Sequence, residues 1–161
     1  MEIDKNQAII DYLLQCPTLA SNPMFFNCVK AESDNKQIIT LENDKVMDKT
    51  YIDGSVEKRY TFTIIDFRAV TYNPIVNQLG YSNENVEQLL DVQGIIDWIT
   101  EQNNLRNFPN FGDKCLISSI SSTTNNPRLN TVDTTASPAL AKYSTSIRVE
   151  YLDTSQCIWN N

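Results

Sequence analysis

"VEKRYTFTIIDFRAVTY", residues 56–72, is the stretch from which the fold is read. Tyr60, Phe62 and Ile64 occupy every second position with Thr61 and Thr63 between them, the period of a strand with one apolar face. At Ile64-Ile65 the alternation changes parity, and Ile65, Phe67 and Ala69 become the apolar set. A β-bulge produces that swap, because one extra residue reverses the facing of all that follow. A central strand buried on both faces produces it equally well.

A second strand is legible in "KYSTSIRVEYLD", 142–153. Tyr143, Thr145, Ile147, Val149 and Tyr151 alternate with Lys142, Ser144, Ser146, Arg148 and Glu150, which marks an antiparallel strand with one wet face. Between these two lies "SNENVEQLLDVQGIIDWITEQN" (82–103), with helical spacing. Val86, Leu89, Leu90, Ile96 and Ile99 form its apolar stripe, Glu84 and Glu87 sit where the helix dipole favours them, and Glu87, Gln88 and Asp91 are expected outside. Gly94 costs such a helix about 1 kcal/mol relative to alanine, so it marks either a close approach to another backbone or an ordinary mid-helix glycine. "NFPNFGD" (107–113) is then a turn and "KCLISSI" (114–120) a strand.

Upstream, "DKNQAIIDYLLQC" (4–16) has Asp4 as N-cap and Ile10, Leu13 and Leu14 at helical spacing, with Pro17 as the stop. The expected helix covers about 4–15. "MFFNCVKAE" (24–32) and "KQIITLE" (36–42) read as strands joined by a tight turn at "SDN" (33–35). "ENDKVMDKTYIDG" (42–54) is an exposed acidic loop or a ragged hairpin, with Asp53-Gly54 as its final turn. One helix, three strands, one helix and two strands make an α+β protein: a mainly antiparallel sheet with helices packed on one face. At 161 residues this is a single domain spanning 1–161.

The segment "SSTTNNPRLNTVDTTASP" (121–138) stands out as a long polar arm without glycine, set between two strands. Arms longer than about 12–15 residues in a compact domain are functional or disordered.

Composition narrows the chemistry. The apolar fraction of 41% with seven Tyr, six Phe and two Trp belongs to a folded chain. Thirteen basic against twenty acidic side chains give a net charge of -7, which repels phosphates at long range and favours protein partners. "MEIDKNQAII" lacks the basic start and apolar core of a signal peptide, and no apolar run reaches the roughly 18–20 residues of a membrane span. Cys16, Cys28, Cys115 and Cys157 are scattered, and are expected to be thiols of an intracellular product rather than zinc ligands or disulfides.

With no histidine, the Ser-His-Asp and Cys-His nucleophile systems are excluded. The four glycines form no phosphate-cradling loop. Asp44, Asp48 and Asp53 have the wrong spacing for an EF-hand. In "VEKRYTFTIIDFR" the basic residues are offset by Glu57 and Asp66 and the aromatics fit a core face, so a nucleic-acid surface is not read there. No catalytic residue, cofactor or metal is expected, and an enzyme using only carboxylates is the remaining catalytic class.

"YIDG" (51–54), "YTFTIIDFRAVTYN" (60–73), "NENVEQLLDVQGIIDWITEQN" (83–103), "NFPNFGD" (107–113) and "DTTASPALAKYSTSIRVEYLD" (133–153) carry a resemblance over most of the chain. Together they resemble small head–tail structural proteins of long-tailed phages of Gram-positive bacteria, which look like tail terminators. The resemblance implies an α+β fold and a virion protein assembled in the host cytoplasm. It implies a homo-oligomeric ring, usually a hexamer, that caps the tail tube, meets the tube protein and the head connector or completion protein, and lets DNA pass unbound, with no membrane involved. In such a ring each subunit needs two different surfaces, and a polar arm can lie across a neighbour. The candidate subunit contacts are Asn125, Asn126, Arg128, Asn130 and Asp133 of the arm, with Arg128 as anchor through its planar fork, and Asp44 and Asp48 of the acidic loop. A head-completion or minor capsid protein, and a small non-catalytic protein-binding domain acting as monomer or dimer, are the alternatives.

Overall fold

In the computed structural model, β4 (Val56–Ala69) and β7 (Leu140–Asp153) pair antiparallel along all fourteen residues of each. Val56 lies opposite Asp153 at one end and Ala69 opposite Leu140 at the other, with no slip between them. The structure describes residues 3–21, 23–27, 36–40, 45–70 and 84–158, the side chains of 36–40, 45–48, 84 and 85 excepted. Each long strand is flanked by two short ones laid end to end. β2 (Lys36–Thr40) and β3 (Lys45–Thr50) cover the far side of β4, and β5 (Cys115–Ser122) and β6 (Arg128–Asp133) cover the far side of β7, all antiparallel. β1 (Met24–Phe26) adds to β2 in parallel. The result is an α+β fold with a curled, mainly antiparallel sheet.

Among the described residues three helices, α1 (Lys5–Leu13), α2 (Pro17–Ala20) and α3 (Glu84–Leu105), fill the concave side. Tyr60, Phe62 and Ile64 of β4 and Ile147, Val149 and Tyr151 of β7 share that inner face, because directly opposed residues of an antiparallel pair point the same way. They meet Ile9, Tyr12 and Leu13 of α1, Leu19 of α2 and Ile95 and Ile99 of α3. Asp4 caps α1 as expected, accepting from the Asn6 amide at 2.9 Å. Pro17 does not stop that helix. It ends at Leu13, and Pro17 opens α2, where its missing N–H costs nothing.

The unbroken β4–β7 register removes the bulge at Ile64-Ile65. Ile65 and Phe67 are buried on the outer face, so the central-strand reading holds. The parity change instead marks an ion pair on the helix side. Asp66 and Arg68 are buried there, with Nε and Nη2 of Arg68 each 3.0 Å from an Asp66 carboxylate oxygen, and Asp91 of α3 is 3.8 Å from Nη1.

The parallel register of β1 with β2 is not that of a hairpin, since a tight turn reverses the chain and gives an antiparallel pair. The expected turn at 33–35 itself lies outside the described residues. β1 ends at Phe26, where Asn27 takes a left-handed φ of 46°; the rest of the strand expected to 32 lies outside the described residues. Of the two readings of the acidic segment, the ragged hairpin is the one observed: β3 pairs with β4 with a slip between Val46 and Thr50. Its turn needs Gly54, with φ 87° and a position where a Cβ would run into the Gln156 carbonyl.

The face of α3 also differs from expectation. Val92, Ile95, Ile96 and Ile99 are buried, but Val86, Leu89 and Leu90 are 47%, 38% and 64% exposed. Gln88 is half-buried rather than outside, donating to the Ala69 carbonyl at 2.9 Å. Gly94 approaches no backbone; a Cβ there would meet only the Thr18 hydroxyl at an ordinary 3.6 Å. The segment 121–138 is not a free arm either, for β6 and the end of β5 occupy much of it.

Ile99→Asp should unfold the chain, an unpaired buried charge costing more than about 3 kcal/mol, whereas Leu90→Asp should leave the thermal midpoint within a few degrees of wild type; equal losses would place both residues on one buried face. At the lower end of the ladder Lys58 Nζ lies 2.6 Å from Asp153. Burial alone would raise the Asp153 pKa, but hydrogen bonds from Lys58 and Ser155 and the lysine charge bring it down to about 2. A depressed carboxylate contributes stability above its unfolded value and loses it as pH falls through the folded one. Denaturant titrations of wild type should therefore lose stability between about pH 4 and 2. Lys58→Met should start lower at neutral pH and show a shallower loss in that window.

Candidate assembly surface

β6 is the strand that the sequence hides. "RLNTVD" pairs with β7 as Arg128 opposite Ser144, Leu129 opposite Tyr143, Thr131 opposite Lys142, Val132 opposite Ala141 and Asp133 opposite Leu140, with Asn130 as the extra residue. That irregularity places Leu129 and Val132, three apart, on the same inner face as Tyr143 and Ala141. Arg128, Thr131 and Asp133 share the outer face. All six residues are exposed, and the edge of β6 away from β7 pairs with no strand among the described residues.

Leu129 and Val132 are 55% and 40% exposed. The exposed end of α3 lies toward the same end of the sheet. The Asn103 side chain accepts from the Ile120 amide at 2.9 Å, and Gln93 reaches the Asn125 carbonyl at 3.4 Å, so α3 runs opposite in direction to β5 and β6. Val86, Leu89 and Leu90 precede Gln93 by seven, four and three positions and stand on its side of the helix. Val86, Leu89 and Leu90 of the helix and Leu129 and Val132 of the bare strand are thus exposed apolar side chains toward the same end of the fold. Val92, packed on Ala141 and Tyr143, fixes the helix at that level.

Five of the seven candidate contacts fall on this segment. Asn125 and Asn126 are exposed in the excursion between β5 and β6. Asn130 accepts from the Ser144 hydroxyl at 3.1 Å, which holds the bulge. Asp133 accepts from the Thr135 amide at 2.9 Å and its hydroxyl at 2.6 Å, closing the turn into β7; those bonds hold its carboxyl below the usual range. The Arg128 side chain has no ion-pair or hydrogen-bond partner among the described residues. The other two are not brought here. Asp44 lies outside the described residues, and Asp48 sits on β3, against the opposite edge of β4, its side chain undescribed. Leu129, Val132 and the α3 residues were not among the expected contacts. A signal existed: Leu129 and Val132 are the only large apolar residues in eighteen.

Elsewhere, a cleft of about 440 Å³ opens between α1 and residues 108–110, lined by Asp4, Asp11 and Tyr12 among others. Burial and the nearby Cys16 thiol raise the Tyr12 pKa, and its hydroxyl donates to the Asn107 carbonyl at 3.0 Å. No group of three metal-ligating side chains occurs among the described residues, and no helix among them is long and apolar enough to cross a membrane. The chain matches no protein-family profile and none of the curated proteins.

Asp133→Ala should fray the β6–β7 hairpin alone. Amides of 128–133 should exchange faster while those of Phe62–Ile65 keep their protection, since β6 opens as a local unit; uniform acceleration would mean that β6 belongs to the global fold.

Proposed function

We propose that the chain is a virion structural protein of a long-tailed phage, a tail-terminator-like neck-ring subunit that caps the tube and joins it to the head. The observation that carries this is the bare, exposed β6 edge, with the exposed apolar residues of α3 toward the same end of the fold. A monomer gains nothing from leaving such a surface open, and an assembly subunit needs one. The resemblance in the sequence supplies the phage context, and β4, α3 and β7, which carry its longest segments, are the elements that position this surface.

In this reading the polar segment keeps a part in assembly. It pairs with its own β7 and offers its other edge to a neighbour. Arg128 is a cation of the segment with no side-chain partner among the described residues, and the small polar residues around it keep the unassembled chain soluble. The net charge of -7 fits a channel through which DNA moves without sticking.

The test adds purified chain to uncapped tail tubes and images the tips. Wild type should cap the tubes with closed rings and fix their length, whereas the double variant Leu90→Lys, Val132→Lys should remain folded by circular dichroism and leave the tips open. Tubes that ignore the wild-type chain would sink the proposal.

A further inference from the structure

We infer that two free copies of this chain pair through β6 about a two-fold axis perpendicular to the sheet. The inference rests on the sequence and geometry of β6 and not on the phage reading. When "RLNTVD" is laid antiparallel against itself, Arg128 falls opposite the second copy's Asp133, Leu129 opposite Val132 and Asn130 opposite Thr131, and each match recurs by symmetry. Opposed residues must also share a face. In a regular strand Arg128 and Asp133, five apart, would point to opposite faces and the matches would fail. The bulge at Asn130 repairs this, because it puts Arg128 and Asp133 both outside and Leu129 and Val132 both inside.

The pairing therefore sets cation against carboxylate on one side of the seam and leucine against valine on the other. The groups are available. Arg128 has no side-chain partner among the described residues, and Asp133, though its carboxylate accepts from Thr135 and the Ala136 amide in the turn, is exposed and pairs with no cation among the described residues. On the inner face the two α3 helices come to stand about 10–15 Å apart across three strand spacings. Their Val86, Leu89 and Leu90 rows then close over the Leu129–Val132 contacts. The five side chains expose roughly 400 Å² of apolar surface, about half of what a specific interface buries per partner, and the strand edge itself supplies much of the rest. Paired in this way the edge is protected from open-ended strand addition, and it must part before β6 can meet any other neighbour.

Charge reversal tests this. Arg128→Asp sets aspartate against Asp133, and Asp133→Arg sets arginine against Arg128, twice per dimer in each case. By sedimentation, wild type should be a dimer, and each single variant should be a folded monomer with its dissociation constant raised roughly tenfold or more. An equimolar mixture of the two should recover the dimer as a heterodimer, because both contacts then join opposite charges. Arg128→Asp leaves the Asp133 turn intact, so that variant keeps the test valid if Asp133→Arg folds poorly; Leu129→Lys should likewise give a monomer. Monomeric wild type, or single variants that dimerise like wild type, would overturn the inference. Tail capping in either event leaves the neck-ring reading standing, and loss of capping with an intact dimer refutes that reading alone.

Discussion

The ladder between β4 and β7 is the constraint on which the other elements depend. Fourteen residues paired without a slip form a twisted ribbon too long for any single short strand to follow. All the register shifts among the described strands lie in the flanks, at Val46/Thr50 in β3, Ile117/Ser119 in β5 and Leu129/Thr131 in β6. Bulges let a flanking strand bend with a curling sheet. Splitting each flank into two pieces does the same at larger scale. The concave face so formed is wide enough to take α1 and the buried half of α3, and the apolar residues of the two long strands define that core.

The same curl decides where the surface opens. α3 is held to the sheet by Ile95 and Ile99 at its middle, by Val92 over Tyr143 and Ala141 and, in its first turns, by Gln88 on the Ala69 carbonyl. There the inner face carries the Asp66–Arg68 pair instead of further apolar side chains. A buried ion pair of this kind is weak evidence for stability but fixes geometry, and Asp91 extends it to the helix. Leu89, Leu90 and Val86 are left exposed rather than in the core.

β7 was legible from Lys142 onward, inward and outward residues alike, since strict alternation is a local property; its first two residues, the buried Leu140 and Ala141, were not. β4 was legible as a strand, but its parity change had two readings that only the register separates. For α3 the helix was legible and its buried side was not. Its 22 residues hold more apolar positions than one stripe needs, and local spacing cannot say which row the sheet covers. The parallel β1–β2 pair was illegible for the opposite reason, because turn chemistry at 33–35 argues about neighbours in sequence and the pairing is set by β4. At the candidate surface, Arg128 and Asp133 were legible as polar groups without a core to serve. Leu129 and Val132 were not, because the bulge at Asn130 disguises an alternating strand as an irregular one.

That bulge also separates two uses of an edge. A bulge ordinarily discourages strand addition by breaking the row of evenly spaced backbone groups. Here it discourages a regular strand yet leaves the edge fitted to a strand with the same irregularity, and the strand certain to have it is another β6. Selectivity then comes from mismatch with everything else rather than from great strength. Copies that each carry a charge of -7 repel at long range, so short-range opposition of Arg128 to Asp133 must offset that repulsion at contact. An association balanced in this way is specific and readily reversed, as the proposed ring role would require of an edge closed in solution and open on assembly.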